Sequence, residues 1–272
     1  MDKLLSIFSR VSPKLRSFFF KPWYQFLARS YQKHDWNFMN YGYAPLAGHD
    51  QAIDLSEEDE YYRYYMQLYD HVAGAVDLRD LKVLEVGSGR GGGADYIKRY
   101  LKPESMIGLD ISENAVNFCT QKYDLEGLSF ETGSAESLPF PDNSFDVVIH
   151  VESSHSYSSM DCFLNQVKRV LRDGGYFLLA DFRRQEVLED FRKSLKGSGL
   201  ILIKEADITQ NILEALTLDD ERKTALIKKS VHKSLVNLFL QFAGTNGTMI
   251  YKRFLSGETI YLNYVFQKQF TY

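Results

Sequence analysis

The sequence contains little cysteine. Cys119 and Cys162 are its two cysteines, and their spacing matches neither a metal-ligand pair nor a disulfide framework. We therefore expect no metal site. Because disulfides persist in oxidising compartments, two isolated thiols favour an intracellular, reducing location.

Long apolar runs and an excess of basic residues are also absent. Near the start of the chain, charged side chains interrupt each apolar stretch before it reaches the length of a signal peptide or a membrane span. These interruptions are Asp2, Lys3, Arg10, Lys14, Arg16 and Lys21. The formal net charge of −4 argues against a duplex-binding protein, which usually presents a basic surface. We expect a cytoplasmic protein that does not bind nucleic acid.

Residues 1–34 are rich in both aromatic and basic side chains. We favour a helical arm that packs on its own domain. The alternative is peripheral membrane contact through residues 1–30, because basic amphipathic helices bind anionic interfaces. Apolar residues then recur at helical spacing from Tyr61 to Val76, after the acidic stretch 56–60, which predicts an amphipathic helix. We assign residues 1–74 to an N-terminal helical arm or lid.

Short apolar strands alternate with helices from residue 82 onwards. The predicted strands cover 82–86, 106–110, 128–132, 145–151 and 176–182. This alternation indicates βαβ units and a parallel sheet covered by helices on both faces. The predicted fold is α/β, doubly wound and Rossmann-like.

The tail departs from simple alternation. Two further predicted strands, 201–208 and 259–270, flank a mostly helical insertion at about 209–255. Ligands of such folds bind beyond the carboxyl ends of the strands, where late insertions line the cleft. We therefore expect residues 75–272 to form one domain in which the insertion caps the substrate.

A strand, a glycine-rich turn and a helix follow one another from Val83 to Gly93. Glycine adopts positive φ and lets a ligand approach the backbone, while the free amides and the helix N-terminus offer donors. Taken alone, such a turn is weak evidence for any particular nucleotide.

Two positions after the following strands extend this site. The second strand ends at Asp110, about where a doubly wound fold places an acceptor for ribose hydroxyls. A solvated acid at a strand end is the alternative. After the third strand, the amide of Ala135 is a candidate donor to an adenine ring nitrogen, and a simple turn is the alternative.

Four blocks of sequence resemble the ordered motifs of class I S-adenosylmethionine methyltransferases. They are residues 85–91, 109–110, 138–140 with 145–148, and 170–175. Residues 91–94, 151–157 and 255–258 are similar to a narrower family, the phthiotriolone and phenolphthiotriolone dimycocerosate methyltransferases, which O-methylate a hydroxyl of a long polyketide lipid. This resemblance spans most of residues 80–270.

The resemblance implies a seven-stranded sheet whose last strand is antiparallel, with S-adenosylmethionine as the cofactor. It also implies a set of cofactor contacts. Methionyl and ribose contacts would come from Glu85, Gly87, Ser88, Gly89 and Gly91, ribose contacts from Asp110, and adenine contacts from Ile111 and Ala135. Many members carry an acid where this chain has Ser134, and Glu136 is the residue we expect to compensate.

Methyl transfer to an alcohol needs a base near the reacting oxygen. His155 follows the fourth strand, and an imidazole accepts a proton near neutrality. We expect His155 to be this base and Glu152 to orient it, with a structural or exposed histidine as the alternative. His150, inside the strand, is expected to pack beside the cofactor. Tyr41, together with Tyr43, is expected to close over the cofactor, or else to serve in plain aromatic packing.

The sequence thus predicts an enzyme that O-methylates a hydroxyl or carboxyl of a hydrophobic small molecule, lipid or polyketide. Its 18 Tyr and 19 Phe suit an apolar substrate slot, although an aromatic core would also use them. Carbon or nitrogen methylation is an alternative. A nicotinamide-dependent dehydrogenase would share Asp110 and the glycine turn, but it offers no account of residues 138–146. A non-catalytic subunit with this fold is the third alternative.

Overall fold

A seven-stranded mixed sheet organises the protein, whose computed structural model describes residues 36–46 and 53–270. The strand order is β3-β2-β1-β4-β5-β7-β6. The strands are β1 (Lys82–Val86), β2 (Ser105–Asp110), β3 (Leu128–Thr132), β4 (Phe145–Val151), β5 (Leu171–Arg184), β6 (Ile201–Asp207) and β7 (Thr259–Gln267). The first five pair in parallel, and β7 runs antiparallel to both β5 and β6. The predicted fold is confirmed.

Helices cover both faces of this sheet. Those in the described residues are α1 (Arg63–Ala73), α2 (Gly92–Tyr96), α3 (Glu113–Lys122), α4 (Met160–Val170), α5 (Gln185–Gly197), α6 (Thr209–Leu218), α7 (Asp220–Ser230), α8 (Val236–Phe242) and α9 (Met249–Leu255). Helices α6 to α9 occupy the predicted insertion. Their expected role as a substrate cap stays a prediction.

Local sequence signals explain several helix boundaries. The Ser112 side chain accepts a hydrogen bond from the amide of Ala115 at the start of α3, as an N-cap serine does. The helix predicted between Tyr61 and Val76 is shorter than expected. It ends at Ala73 because Gly74, a poor helix former, takes the C-cap position.

Two buried clusters lie on opposite faces of the sheet. Val83 belongs to one cluster and its neighbour Leu84 to the other, because successive side chains of a strand point to opposite faces. The first cluster also contains Leu68 of α1 and Ile212 of α6. The described part of the N-terminal region therefore shares a core with the sheet, and the boundary at residue 74 stays a prediction.

No helix that the structure describes is both long and apolar enough to cross a bilayer. The predicted arm of residues 1–34 lies outside the described residues. The choice between a packed arm and a membrane-surface helix therefore stays a prediction.

Candidate active site

A cavity of about 590 Å³ opens at the carboxyl ends of the parallel strands, where doubly wound folds bind their ligands. Its volume lies in the range of small-molecule sites. Segments at or near the ends of β1 to β5 form most of its wall, and residues 37–41, Tyr69 of α1, Gly93 of α2 and Phe242 of α8 form the rest. The segments at the strand ends are residues 87–90, 109–111, 133–136, 151–153 and 155–158, with Phe182.

The glycine turn after β1 forms one wall. Gly87 and Gly89 have φ of +83° and +56°, a region that favours glycine. The amide of Gly89 donates to Oδ2 of Asp110 over 2.9 Å. Between these glycines the buried hydroxyl of Ser88 has no partner among the described residues, so the wall presents a polar atom for a ligand.

Asp110 is held rigidly at the end of β2. Its second oxygen, Oδ1, accepts from the amide of Ser112 over 2.8 Å. Burial raises the pKa of Asp110 to about 6, against the opposing effect of the amide donors. The amides of Gly89, Ser112 and Ile111 all bond this carboxylate, and a carboxylate has about four lone-pair sites, so at least one stays available for a ribose hydroxyl. The position agrees with the predicted ribose contact.

The predicted adenine end is also part of the cavity wall. Ile111 and residues 133–136 line it. The Ser134 hydroxyl accepts from the amide of Glu136 over 3.3 Å, and Oε1 of Glu136 accepts from the amide of Ser159 over 2.6 Å. The second oxygen of Glu136 has no partner among the described residues, which suits the compensating role predicted for it.

Three predicted contact residues do not line the cavity. Glu85 is fully buried below the glycine turn, where its Oε1 accepts from the hydroxyl of Tyr69 over 2.7 Å. Burial raises the pKa of Glu85 to about 7. Gly91, at φ +77°, instead packs against Cys119 and Tyr123. Neither residue lines the cavity, so the structure gives no support to their expected direct cofactor contacts, which stay predictions.

His150 is the third. Its ring is fully buried, with Nδ1 2.9 Å from the carbonyl of Val86 and Nε2 accepting from the amide of Ser154 over 2.8 Å. Since a carbonyl oxygen only accepts, Nδ1 donates to it, and both ring nitrogens are engaged within the protein. His150 connects β1 to the loop after β4 and does not line the cavity, so its expected packing beside the cofactor stays a prediction.

His155, the predicted base, does line the cavity. Its Nδ1 lies 3.1 Å from Oδ1 of Asp181, and its ring packs on Phe182 at a centroid distance of 4.5 Å. No described residue bonds Nε2. A histidine that donates from Nδ1 to a carboxylate has Nε2 free to accept a proton.

Asp181 is the group that orients His155, and it was not predicted. Its fully buried carboxylate also accepts from the hydroxyl of Ser154 over 2.6 Å and lies 3.1 Å from Arg183. Burial alone would raise the pKa of Asp181. The charge of Arg183 and the contact with His155 outweigh it and lower the pKa of Asp181 well below its usual range. The carboxylate therefore stays ionised.

Glu152 does not orient His155, so that part of the prediction is wrong. Its Oε1 accepts from the amide of Tyr41 and from the hydroxyl of Tyr261, each over 2.9 Å. Its backbone has φ +52°, which is uncommon for a non-glycine residue and clusters at functional sites. Burial, with a smaller contribution from the charge of Asp181, raises the pKa of Glu152 to about 8.

Tyr41 belongs to a segment, residues 37–41, that covers the cavity. Its carbonyl accepts from Nζ of Lys223 over 3.3 Å, and its ring packs at 5.5 Å from both Phe182 and Phe254. Tyr43 instead stacks on His71 at 4.3 Å and does not line the cavity. The geometry thus agrees with the covering role for Tyr41 and contradicts it for Tyr43.

These residues fit S-adenosylmethionine. The glycine turn offers the unpaired Ser88 hydroxyl, Asp110 offers its carboxylate, and residues 133–136 border the far end. A family model described as a methyltransferase domain matches residues 84–179. Sheet order, cavity and match together define a class I S-adenosylmethionine-dependent methyltransferase.

Relatives that align with about 90% of the chain identify a narrower family within this class. The protein is 36% identical over 247 residues to a fatty-acid O-methyltransferase of Mycolicibacterium smegmatis, covering 90% of this chain and 88% of that one. It is 36% identical over 246 residues to a phthiotriol/phenolphthiotriol dimycocerosates methyltransferase of Mycobacterium tuberculosis, covering 90% of each. The chain belongs to the methyltransferase family that includes these two relatives.

Solved structures support the fold alone. The crystal structure of the [4+2]-cyclase SpnF matches with a TM-score of 0.70 at 18% identity, covering 92% of this chain and 95% of that one. Geranyl diphosphate C-methyltransferase from Streptomyces coelicolor, in complex with Mg²⁺, geranyl diphosphate and S-adenosyl-L-homocysteine, matches with a TM-score of 0.63 at 14% identity. That match covers 90% of this chain and 98% of the other.

Proposed function

We propose that the protein transfers the methyl group of S-adenosylmethionine to a hydroxyl or carboxyl oxygen of a hydrophobic small molecule, lipid or polyketide. The observation that carries this proposal is the His155–Asp181 pair on the cavity wall, with an imidazole nitrogen left to accept a proton. Relatives named for fatty-acid and phthiotriol substrates support the choice of oxygen and of a lipid-like acceptor.

The chain's own residues would hold the cofactor along the wall described above. The glycine turn with its Ser88 hydroxyl would face the methionyl end, Asp110 the ribose, and Ile111 with residues 134–136 the adenine. When bound, S-adenosylmethionine supplies an electrophilic methyl group on a sulfonium. Holding the acceptor oxygen in line with that group accounts for much of the expected rate enhancement.

For a hydroxyl acceptor, Nε2 of His155 takes the proton as the oxygen–carbon bond forms. Asp181 keeps Nδ1 protonated and compensates the positive charge that develops on the ring, as the carboxylate of a catalytic triad does. A carboxyl acceptor has an unperturbed pKa near 4 and is already ionised at neutral pH. It would need no base.

Aromatic side chains form the wall next to His155. Phe182 packs at 5.9 Å from Phe254 and 6.2 Å from Tyr261, and Phe242 lines the opening. Such a wall stabilises an apolar acceptor, while Glu152 and His155 fix a polar end. This arrangement supports a hydrophobic acceptor.

Two alternatives lose support from the family. Membership of a methyltransferase family argues against both a nicotinamide-dependent dehydrogenase and a non-catalytic subunit. Carbon or nitrogen methylation stays a second candidate, in which His155 would not act as a base. A cytoplasmic reaction is part of the same proposal, based on two thiols that form no disulfide, as is membrane contact through residues 1–30.

The proposal is tested with S-adenosylmethionine labelled in its methyl group. Long-chain alcohols, phenols, fatty acids and the matching amines are offered as acceptors, and the extracted product is treated with base. Label released by base identifies an ester, whereas label that resists it identifies an ether. Transfer only to amines or to carbon would contradict the proposal.

A further inference from the structure

The opening of the cavity is lined by exposed apolar side chains. Met39, Ile111 and Phe242 all line the cavity, yet they are 55%, 47% and 38% exposed. They come from the covering segment, the loop after β2 and helix α8. We call these three residues the rim. A cluster of exposed apolar residues around a binding site marks a surface that contacts a membrane or a partner.

Cations lie on and just after helix α7, which packs against α8, the helix that carries Phe242 of the rim. Helices α7 and α8 pack together through Ile227, Val231 and Phe239, and Trp36 stacks on Phe239 at a centroid distance of 5.4 Å. The exposed cations of this unit are Lys228 and Lys229, in the last turn of α7, and Lys233, before α8. We call residues 220–242, which include α7 and α8, together with Trp36 the basic lobe.

Residues 1–35 are joined at Trp36 to the segment that covers the cavity. The carbonyl of Trp36 accepts a hydrogen bond from Arg90, which lines the cavity. Residues 1–35 contain seven Lys and Arg against two Asp, a net charge of +5, whereas the whole chain has −4. A strongly positive, aromatic-rich segment is therefore joined covalently to the covering segment of an otherwise acidic protein.

We propose that the rim and the basic lobe dock on an anionic lipid bilayer, so that the cavity opens towards the membrane. The side chains of Met39 and Phe242 would enter the interface, and the cations would attract the negative surface, each contributing about 1 kcal/mol near it. A lipid acceptor could then reach the cavity without crossing water. The delivery of a lipid acceptor rests on the proposed function, whereas the docking on a membrane does not.

The test is co-sedimentation of the full-length protein with vesicles of phosphatidylcholine, with and without phosphatidylglycerol. Neither cofactor nor acceptor is added, so the result does not depend on which atom is methylated. The rim variant is Met39→Ser with Phe242→Ser. Its matched control, Leu202→Ser with Ile203→Ser, removes side chains that are 45% and 55% exposed on edge strand β6.

We expect the wild type to sediment with phosphatidylglycerol vesicles. The rim variant should lose at least about tenfold in partition coefficient, from the apolar area that no longer enters the interface, while the β6 control keeps wild-type binding. Exchanging Lys228, Lys229 and Lys233 for Gln should lower binding to the anionic vesicles at low salt and have less effect at high salt.

Three results would overturn the proposal. The first is absence of wild-type sedimentation with either vesicle. The second is equal binding by the rim variant and the wild type, which would place any anchor elsewhere in the chain. The third is a wild-type dimer in size-exclusion chromatography that the rim variant abolishes without a change in vesicle binding, because the rim would then contact a second copy.

Discussion

The contact between His155 and Asp181 leads to a prediction about how two substitutions combine. His155→Ala removes the proposed base. Asp181→Asn leaves the imidazole in place but replaces the carboxylate that accepts from Nδ1 over 3.1 Å. If Asp181 acts through His155, the second substitution should lower kcat strongly in the wild type and hardly at all in the His155→Ala background.

The size of each effect follows from the geometry. A positioned base contributes about 10²–10⁴ in rate, equivalent to about 3–5 kcal/mol, and His155→Ala should lose most of it for a hydroxyl acceptor. In Asp181→Asn, an amide replaces the carboxylate that contacts Arg183 and Ser154. The free energy of unfolding should therefore fall by about 3 kcal/mol, as when a buried ion pair loses one partner. That loss of stability should appear in both backgrounds.

The assay is a double-mutant cycle on kcat, with thermal unfolding followed in parallel. Calorimetric affinity for S-adenosylhomocysteine should hold in all variants, since Asp181 does not line the cavity. His232→Ala, at an exposed histidine remote from Asp181, is the matched control. Additive losses of kcat would refute the orienting role. Full turnover of an alcohol acceptor by His155→Ala would refute the assignment of His155 as the base.

Two further predictions concern stability. Because the pKa of Glu152 rises from 4.5 to about 8 on folding, the folded state favours its protonated form. It should therefore lose stability as pH rises from about 4.5 to about 8. Glu152→Gln should flatten that slope in melting temperatures, and an unchanged slope would contradict the burial of this carboxyl. Gly93→Ala should destabilise by about 1–3 kcal/mol, because its Cβ would lie 2.0 Å from the Tyr69 ring. Gly197→Ala, where nothing lies within 4 Å, is the control in denaturant unfolding, and equal effects of both would contradict the packing.

The strands were largely predictable because most of this sheet is parallel and buried. In β4, six of seven residues are buried, which agrees with a continuous apolar run covered on both faces. The bounds of β1, β3 and β4 agree with those predicted. The residues that follow the strands were predictable for the same reason, since strand ends identify the edge where Asp110 and His155 must lie.

Side chains within the strands were harder to place. Glu85 and His150 precede the strand ends, and the pleat turns them into the two cores rather than towards the cavity. Their positions in the sequence relative to the glycine turn did not indicate this side-chain orientation. Asp110 and Val151, which do reach the cavity wall, are the last residues of their strands.

Asp181 was missed because its role depends on a contact between two strands. It follows the apolar run of β5, next to β4 in the sheet, and it is 26 positions from His155. An acid near the end of the predicted strand 176–182, which neighbours the strand that precedes His155, was a usable signal. It required the strand order, which a single sequence implies only through the family resemblance.

The cofactor cavity is the centre of this account, and calorimetric titration with S-adenosylhomocysteine tests it without knowledge of the acceptor. The account predicts micromolar binding that weakens by about 10- to 100-fold in Asp110→Ala, since hydrogen bonds to a charged group contribute about 1.5–3 kcal/mol. Asp124→Ala, at an exposed acid outside the cavity, should bind as the wild type does. Absence of binding by the wild type, or equal affinity of Asp110→Ala and the wild type, would contradict the assignment of this cavity.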